Sequence, residues 1–408
     1  MKVIYMTARP PYPPHKGDQL IAWEQLKHLK VSGIQIYLLT FVKSEKERDL
    51  IYQKLSPYCK EIIVFPTSPL QQTFQSIKTL YNLKPVQVNL YYQSKIKQQV
   101  LEVCERVKPD VVHVQTARLA DYFIDIDCAK CIDMIDALSL NMKRRSINEK
   151  KWLKPFFLFE SHLMRRHEKA VLRSYEQTIL VSENDKHYLN NSNIVVNPNG
   201  TYITKSYLAN YPELHKRKTI LFHGNMQYYP NVEAVVDFVK DVWPIIHQRY
   251  PDYQFHIVGK DPVKSVVDLH GKNNVVVTGF VEDICSSLMQ AKIGIYPMKS
   301  GTGMQNKILE SMACGLPTIA SPIALQGIGG ITGEEVIRTE SKEEMVSALE
   351  FLIEHPDIQE KYAHKGQSFV WKNYSWSKNC TRLTHTWEKA MWKMHMDKVN
   401  RKKSAIVN

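Results

Sequence analysis

Apolar and polar positions along the chain alternate between two periods. Residues 2–8 form a short apolar run rich in β-branched side chains, and a proline-rich loop at 9–14 and Gly17-Asp18 follow it. Leu20, Trp23, Leu26 and Leu29 then recur at helical spacing, and 34–42 is apolar again. This reads as strand, loop, helix, strand. The same order continues with a helix at 45–55, a strand at 61–65, a helical stretch at 96–107, and strands at 110–114 and 131–135. A long helix at 156–176 and a strand at 178–181 complete the first half. Asn197-Pro198-Asn199-Gly200 carries two turn signals and marks a domain boundary. Beyond it the pattern restarts: strand 219–223, helix 232–250, strands 254–258 and 275–278, helix 283–290, strand 293–297, helix 307–313, strand 318–320. Strands alternating with helices predict parallel sheets covered on both faces, here in two halves. The loops that follow strands, among them 9–18, 113–120, 133–145, 223–231, 259–261, 279–283 and 298–306, are where such sheets hold ligands.

Composition narrows the class. The chain has 408 residues, 44% of them hydrophobic and 10% aromatic, enough to bury two cores and too many for a disordered chain. No apolar run approaches the ~20 residues needed to span a bilayer. The apolar stretch after Lys2 is cut by Arg9, Pro10 and Pro11, where a signal peptide would continue. A cytoplasmic protein is expected. Seven cysteines, an odd number thinly spread, suit reduced thiols, and Cys128-Ala-Lys-Cys131 lacks a second pair to complete a zinc site. With 54 Lys+Arg against 41 Asp+Glu the net charge is +13. No nucleic-acid-binding module accompanies it. The cations gather at Lys143, Arg144, Arg145, Lys150, Lys151 and Lys154, and again at Lys389, Lys393, Lys398, Arg401, Lys402 and Lys403. Both groups are expected to suit an anionic membrane surface.

The sharpest segment runs from Lys299 to Pro317, KSGTGMQNKILESMACGLP. Gly301 and Gly303 allow close backbone approach to a ligand, and the loop leads into a helix whose N-terminus favours phosphate. Lys307 adds a cation in its first turn, and Glu310 lies on the same face. This string resembles the signature of glycosyltransferase family 4, the group 1 glycosyl transferases of GT-B fold. Phe222-His-Gly-Asn-Met226, Tyr229-Pro-Asn231, Ile257-Val-Gly259, Val277 to Asp283 and Gly315 to Ala320 extend it over most of 218–330.

The resemblance implies two facing Rossmann-like doubly wound domains. An acceptor-binding domain would cover 1–200 and a nucleotide-sugar-binding domain 201–375; over 376–408 a helix would return to the first domain, followed by a basic tail. Leu383, Trp387, Met391 and Met394 form the stripe that would pack there. It implies a retaining, metal-independent transfer from a nucleotide diphosphate sugar, with no other cofactor. The acceptor would be a saccharide, lipid-linked, in bacterial surface polysaccharide synthesis. Glu310 would hold the ribose. The earlier glutamate of the family's motif falls on Thr302, which leaves the sugar to backbone amides of 301–305. Donor contacts are implied for Asn225, Gly259, Phe280, Gly301, Thr302, Gly303, Met304, Gln305, Asn306 and Glu310, and catalytic roles for Gly17, Gln115 and Lys307. Many relatives carry histidine where this chain has Gln115. Asp18, Asp136 and Arg144 are the acceptor candidates. Asp18 reads equally as an N-cap of helix 19–29, and Asp136 with Ser139 as a turn into a helix. His113 reads as a core histidine. Glu160, Arg166 and Glu168 read as a solvated or interdomain charge network. A sugar-nucleotide epimerase and a non-catalytic binding protein of the same fold are the alternatives.

Overall fold

A computed structural model describes residues 1–148, 150–201, 203, 216–301 and 303–407. The chain divides into two compact units, Met1–Pro198 together with Trp376–Asn408, and Asn199–Ser375.

The first unit is built on seven parallel strands: β1 (Lys2–Thr7), β2 (Gln35–Val42), β3 (Glu61–Pro66), β4 (Val111–Gln115), β5 (Ala129–Ile135), β6 (Gln177–Leu180) and β7 (Ile194–Val196), in spatial order β3-β2-β1-β4-β5-β6-β7. β1 pairs with β2 from Lys2↔Gln35 to Thr7↔Thr40 and with β4 from Val3↔Val111 to Met6↔Val114. Strands buried on both faces read as continuous apolar runs, which is why Val3 to Met6 is fully buried. The second unit has six parallel strands: β8 (Thr219–His223), β9 (Gln254–Val258), β10 (Val275–Gly279), β11 (Ile293–Tyr296), β12 (Thr318–Ala320) and β13 (Ile337–Arg338), in order β10-β9-β8-β11-β12-β13. Both sheets are doubly wound. The order reverses between β1 and β4 in one unit and between β8 and β11 in the other, and such switch points open the crevice where α/β sheets take ligands.

The helix Trp376–Val407 belongs to the first unit. Leu383, Trp387 and Ala390 are buried in the cluster formed by Val3, Tyr5, Leu26 and Leu38, with Met391 and Met394 packed at its edge. Trp387 Nε1 donates to His113 Nδ1 at 3.1 Å, and Gln25 Nε2 to Asn379 Oδ1 at 3.1 Å. Burial pushes His113 down to about 3, so it is a neutral core histidine.

Several expectations change at element level. The predicted helix 232–250 is two helices, Tyr229–Asp241 and Trp243–Arg249, because Pro244 has no N–H to donate and opens a new helix instead of continuing the old one. Helices Lys342–Glu354 and Pro356–Asn373 were not expected. Ser341 Oγ accepts from Glu344 N at 3.1 Å while the Glu344 carboxylate accepts from Glu340 N at 2.7 Å, a pairing close to a capping box. Asp18 is not an N-cap: Lys16 occupies that position of helix Gly17–Leu29, and Asp18 pairs with Arg9 at 3.0 Å.

Of the charges read as solvated on helix Lys154–Ser174, Arg166 is exposed, but Glu160 and Glu168 are not. Glu160 is buried and accepts from Val86 N at 3.0 Å and Gln87 N at 3.2 Å, satisfying the start of helix Val86–Asn89. Glu168 is fully buried and bound by Ser139 through both its N–H and its hydroxyl; burial pushes its carboxyl up to about 7. The sequence shows the charges but not the backbone donors that a neighbouring segment brings to them.

Gly259, just past β9, shows why glycine stands there. A Cβ at this position would lie 1.7 Å from Gly224 O, the residue after β8. Gly259→Ala therefore has to force the two strand ends apart, and a loss of about 3 kcal/mol is expected, read as a lower urea midpoint.

Candidate functional site

In the second unit the switch point lies between the loops that leave β8 and β11. The β8 loop leads into helix Tyr229–Asp241 and the β11 loop into helix Asn306–Ala313, and no side chain caps either N-terminus. Lys307 stands between these elements. Its Nζ donates to Asn231 Oδ1, lies 3.5 Å from Met298 Sδ and 5.0 Å from the centre of the Phe222 ring. It is buried, and desolvation pushes its ammonium down to about 7, with Glu310 opposing the shift. Asn231 is fixed in turn by its Nδ2, which donates to Asn225 O at 2.9 Å. Two helix N-termini and a buried lysine make a site suited to an anion.

Glu310 lies one turn beyond Lys307 and is 17% exposed, within reach of a ligand. His223 Nε2 meets Glu310 Oε2 at 2.9 Å, and His223 Nδ1 meets the Tyr296 hydroxyl at 2.8 Å, which also bonds Ser311. This chain of bonds locks one carboxylate oxygen. Neither His223 nor Tyr296 was singled out from sequence, although His223 closes the quoted Phe222-His-Gly motif.

The remaining donor candidates are spread around the same strand ends. Gly301 and Gly303 have φ of 146° and 68°. Gly327, not expected, lets that loop pack: its Cβ would fall 2.6 Å from Met304 Cα. Met304, Gln305 and Asn306 are partly exposed, and Asn306 Oδ1 accepts from Asn199 Nδ2 at 3.1 Å. Asn225 is exposed and its Oδ1 accepts from Gln227 N at 2.9 Å, so its side chain closes its own turn. Phe280, following β10, is 70% exposed. Thr302 lies outside the described residues.

In the first unit, the loop after β1 and the end of β4 meet. Gln115 Nε2 donates to Asp18 O at 2.9 Å, so Gln115 is engaged with the protein's own backbone. Gly17 heads its helix, is exposed, and would have nothing within 4 Å of an added Cβ. Beyond the carboxyl ends of β1 and β2 opens a cavity of about 260 Å³ lined by Arg9, Lys16, Gln19, Lys43, Glu47 and Tyr91. On the neighbouring strand, Asp133 lies within β5 opposite Gln115, and Asp136 just past its end. Burial raises both to about 7, Asp185 adds to the rise in Asp136, and Arg118 and Arg144 oppose it. Asp136 lies in the bend that leads into helix Leu138–Asn148, as a turn into a helix would; its Oδ1 is enclosed without a hydrogen-bond partner, and Ser139, in the first turn, bonds Glu168. Cys128 and Cys131 are buried free thiols, as expected. Asp125 and Asp127 are exposed surface residues paired with Lys97 and Lys398.

Two doubly wound parallel-sheet units, with the last helix returning to the first, have the GT-B fold, and the similarities that follow support a glycosyltransferase. The family model described as "Glycosyl transferases group 1" matches residues 217–355, within the second unit. The chain is 20% identical over 393 residues to an uncharacterized 44.6 kDa protein in the cps region of Klebsiella pneumoniae, covering 91% of this chain and 96% of that one. In fold it is similar to sucrose-phosphate synthase from Thermosynechococcus elongatus, with a TM-score of 0.69, 14% identity, and 95% and 98% of the two chains covered. It is also similar to HepE of Anabaena, crystallised with UDP-glucose, with a TM-score of 0.64, 14% identity, and 95% and 99% covered.

Proposed function

We propose that this glycosyltransferase moves a sugar from a nucleotide diphosphate donor to a saccharide acceptor, with retention at the anomeric carbon and without a metal. The acceptor is lipid-linked, the product a bacterial surface polysaccharide, and the enzyme works at the inner face of the cell membrane. One observation carries the donor assignment: a partly exposed carboxylate, Glu310, held on one oxygen by His223, one turn into a helix whose N-terminus no side chain caps. A carboxylate so fixed pairs with the two hydroxyls of a ribose, and the helix start and Lys307 take the diphosphate. As the sugar leaves, negative charge grows on that diphosphate, and pre-oriented N–H groups with a cation stabilise it without reorganisation. Gly301 and Gly303 to Asn306 border the sugar by backbone, with Gly259, Asn225 and Phe280 at the neighbouring strand ends.

Acceptor binding is assigned to the first unit. Arg9, paired with Asp18, lines its cavity, and Asp136 holds an enclosed, unpartnered oxygen with Arg144 nearby. Kept near its midpoint at neutral pH, Asp136 can accept a hydrogen bond from an acceptor hydroxyl. The cps-region relative and the UDP-glucose bound by HepE support the pathway and the donor class.

The test is a panel of nucleoside diphosphates and their sugars in thermal unfolding. A ligand held at a hundred times its Kd adds about 2.7 kcal/mol of stability, so one base is expected to raise the midpoint clearly. The matching sugar nucleotide is then expected to release free diphosphate only when a saccharide acceptor is added. Release that ignores every acceptor, or no stabilisation by any base, overturns the reading.

A further inference from the structure

The reading of a membrane-linked acceptor leaves open which surface meets the membrane, and the following rests on that reading. We propose that the exposed end of the helix pair Leu138–Asn148 and Lys154–Ser174 seats the first unit on an anionic bilayer by inserting aromatic side chains.

Helix Lys154–Ser174 buries the stripe Phe157, Glu160, Met164, His167 and Val171 against its own unit. Its first turns are apolar on the other side as well: Phe156, Leu158 and Phe159 are 48%, 51% and 51% exposed. Ile147, near the end of the preceding helix, is 67% exposed, and Trp152, in the connection, 74%. A helix apolar all round needs a second apolar partner, and an exposed cluster of this kind marks an interaction surface. The bonds from Glu160 to Val86 and Gln87 tie this helix to the segment that follows a second set of exposed apolar residues, Phe74, Ile77, Tyr81 and Leu83.

Charge selects the partner. Residues 143–159 hold six cations, Lys143, Arg144, Arg145, Lys150, Lys151 and Lys154, and one carboxylate, Glu149. Lys143, Lys150 and Lys151 are exposed, and Arg145 stacks 4.4 Å over the Phe157 ring, its charge kept beside the apolar group. Aromatic side chains ringed by lysines are the composition that settles at the headgroup boundary of anionic lipid. A second copy of the chain would set this positive face against itself. The other basic group is a poorer candidate, because Lys398 pairs with Asp127 at 2.8 Å and Lys393 donates to Glu176 O at 3.4 Å within the first unit.

The test uses the full chain and flotation with vesicles of phosphatidylcholine, with or without phosphatidylglycerol. Binding is expected only where phosphatidylglycerol is present. Lys150→Gln with Lys151→Gln and Lys154→Gln should weaken it on the order of a hundredfold, from about fivefold per lost cation. Trp152→Ser with Phe156→Ser and Phe159→Ser should weaken it at least tenfold. Quenching of wild-type fluorescence by brominated lipid, lost in Trp152→Phe, reports insertion. Equal binding by the apolar triple variant, or no quenching, overturns insertion. A dimer in sedimentation that the apolar variant turns into monomer assigns the face to a second copy and overturns the proposal. An unchanged circular dichroism spectrum and cooperative melting check that each variant is folded; failure of nucleoside diphosphate to stabilise the wild type counts against the donor reading and not against this surface.

Discussion

Glu310→Ala is expected to weaken binding of the nucleoside diphosphate on the order of a hundredfold while leaving the fold nearly unchanged. The carboxylate is 17% exposed and, among the described residues, its Oε2 is partnered by His223, a buried imidazole that keeps its bond to Tyr296, so the substitution strands no buried charge. Hydrogen bonds to a charged acceptor contribute about 1.5–3 kcal/mol each. Losing the pair that a ribose makes therefore removes about 3 kcal/mol, or roughly two decades in Kd. Glu310→Gln, which keeps one acceptor oxygen, should fall between. His223→Phe should lose less than either, because it frees the carboxylate without removing it. Calorimetry measures all three, and an unchanged Kd in Glu310→Ala would remove Glu310 from the ribose.

Lys307→Met is expected to split stability from activity. The ammonium is buried against Phe222 and Met298 and is pushed down to about 7 by desolvation, so the fold already resists its charge. Methionine fills similar volume, and the gain from removing a buried cation is offset by leaving Asn231 Oδ1 without its donor. The melting temperature should hardly move. Transfer should fall about 10²- to 10³-fold, the range for losing one group that stabilises developing charge. The depressed value also sets a pH dependence. Above pH 7 the free protein holds Lys307 neutral; a bound diphosphate favours the cation, so binding takes up a proton. Affinity is expected to decline from pH 7 to pH 9, by up to tenfold per unit, with proton uptake visible in buffers of different ionisation heat. Lys307→Met should flatten that slope. A slope retained in the variant would place the titrating group elsewhere.

The two halves and the strand-end loops were legible because parallel strands buried on both faces read as short apolar runs, as at Ile220 to Phe222. β7 and β13, of three and two residues, are too short to carry any period. The helices after residue 341 carried a legible start, Ser341 and Glu344, but lay beyond the motifs. Within the site, Lys307 and Glu310 were readable from spacing on one helix. Their partners were not, since Asn231 and His223 reach them across the sheet, 76 and 87 residues away in sequence. The same limit hid Arg9, Lys43 and Tyr91, which three different connections bring to one cavity.

Because the last helix covers the face formed by Val3, Tyr5 and Leu38, the order of synthesis and the order of assembly differ. The ribosome completes the first sheet early, then makes the whole of the second unit before Leu383, Trp387 and Ala390 emerge to cover that face. Through that interval an apolar surface waits in the cell. The second unit, contiguous in sequence, meets no such delay, so a nascent chain can hold a finished second unit while the first is unfinished. A chain released early would keep that folded unit and still be recognised by chaperones as incomplete.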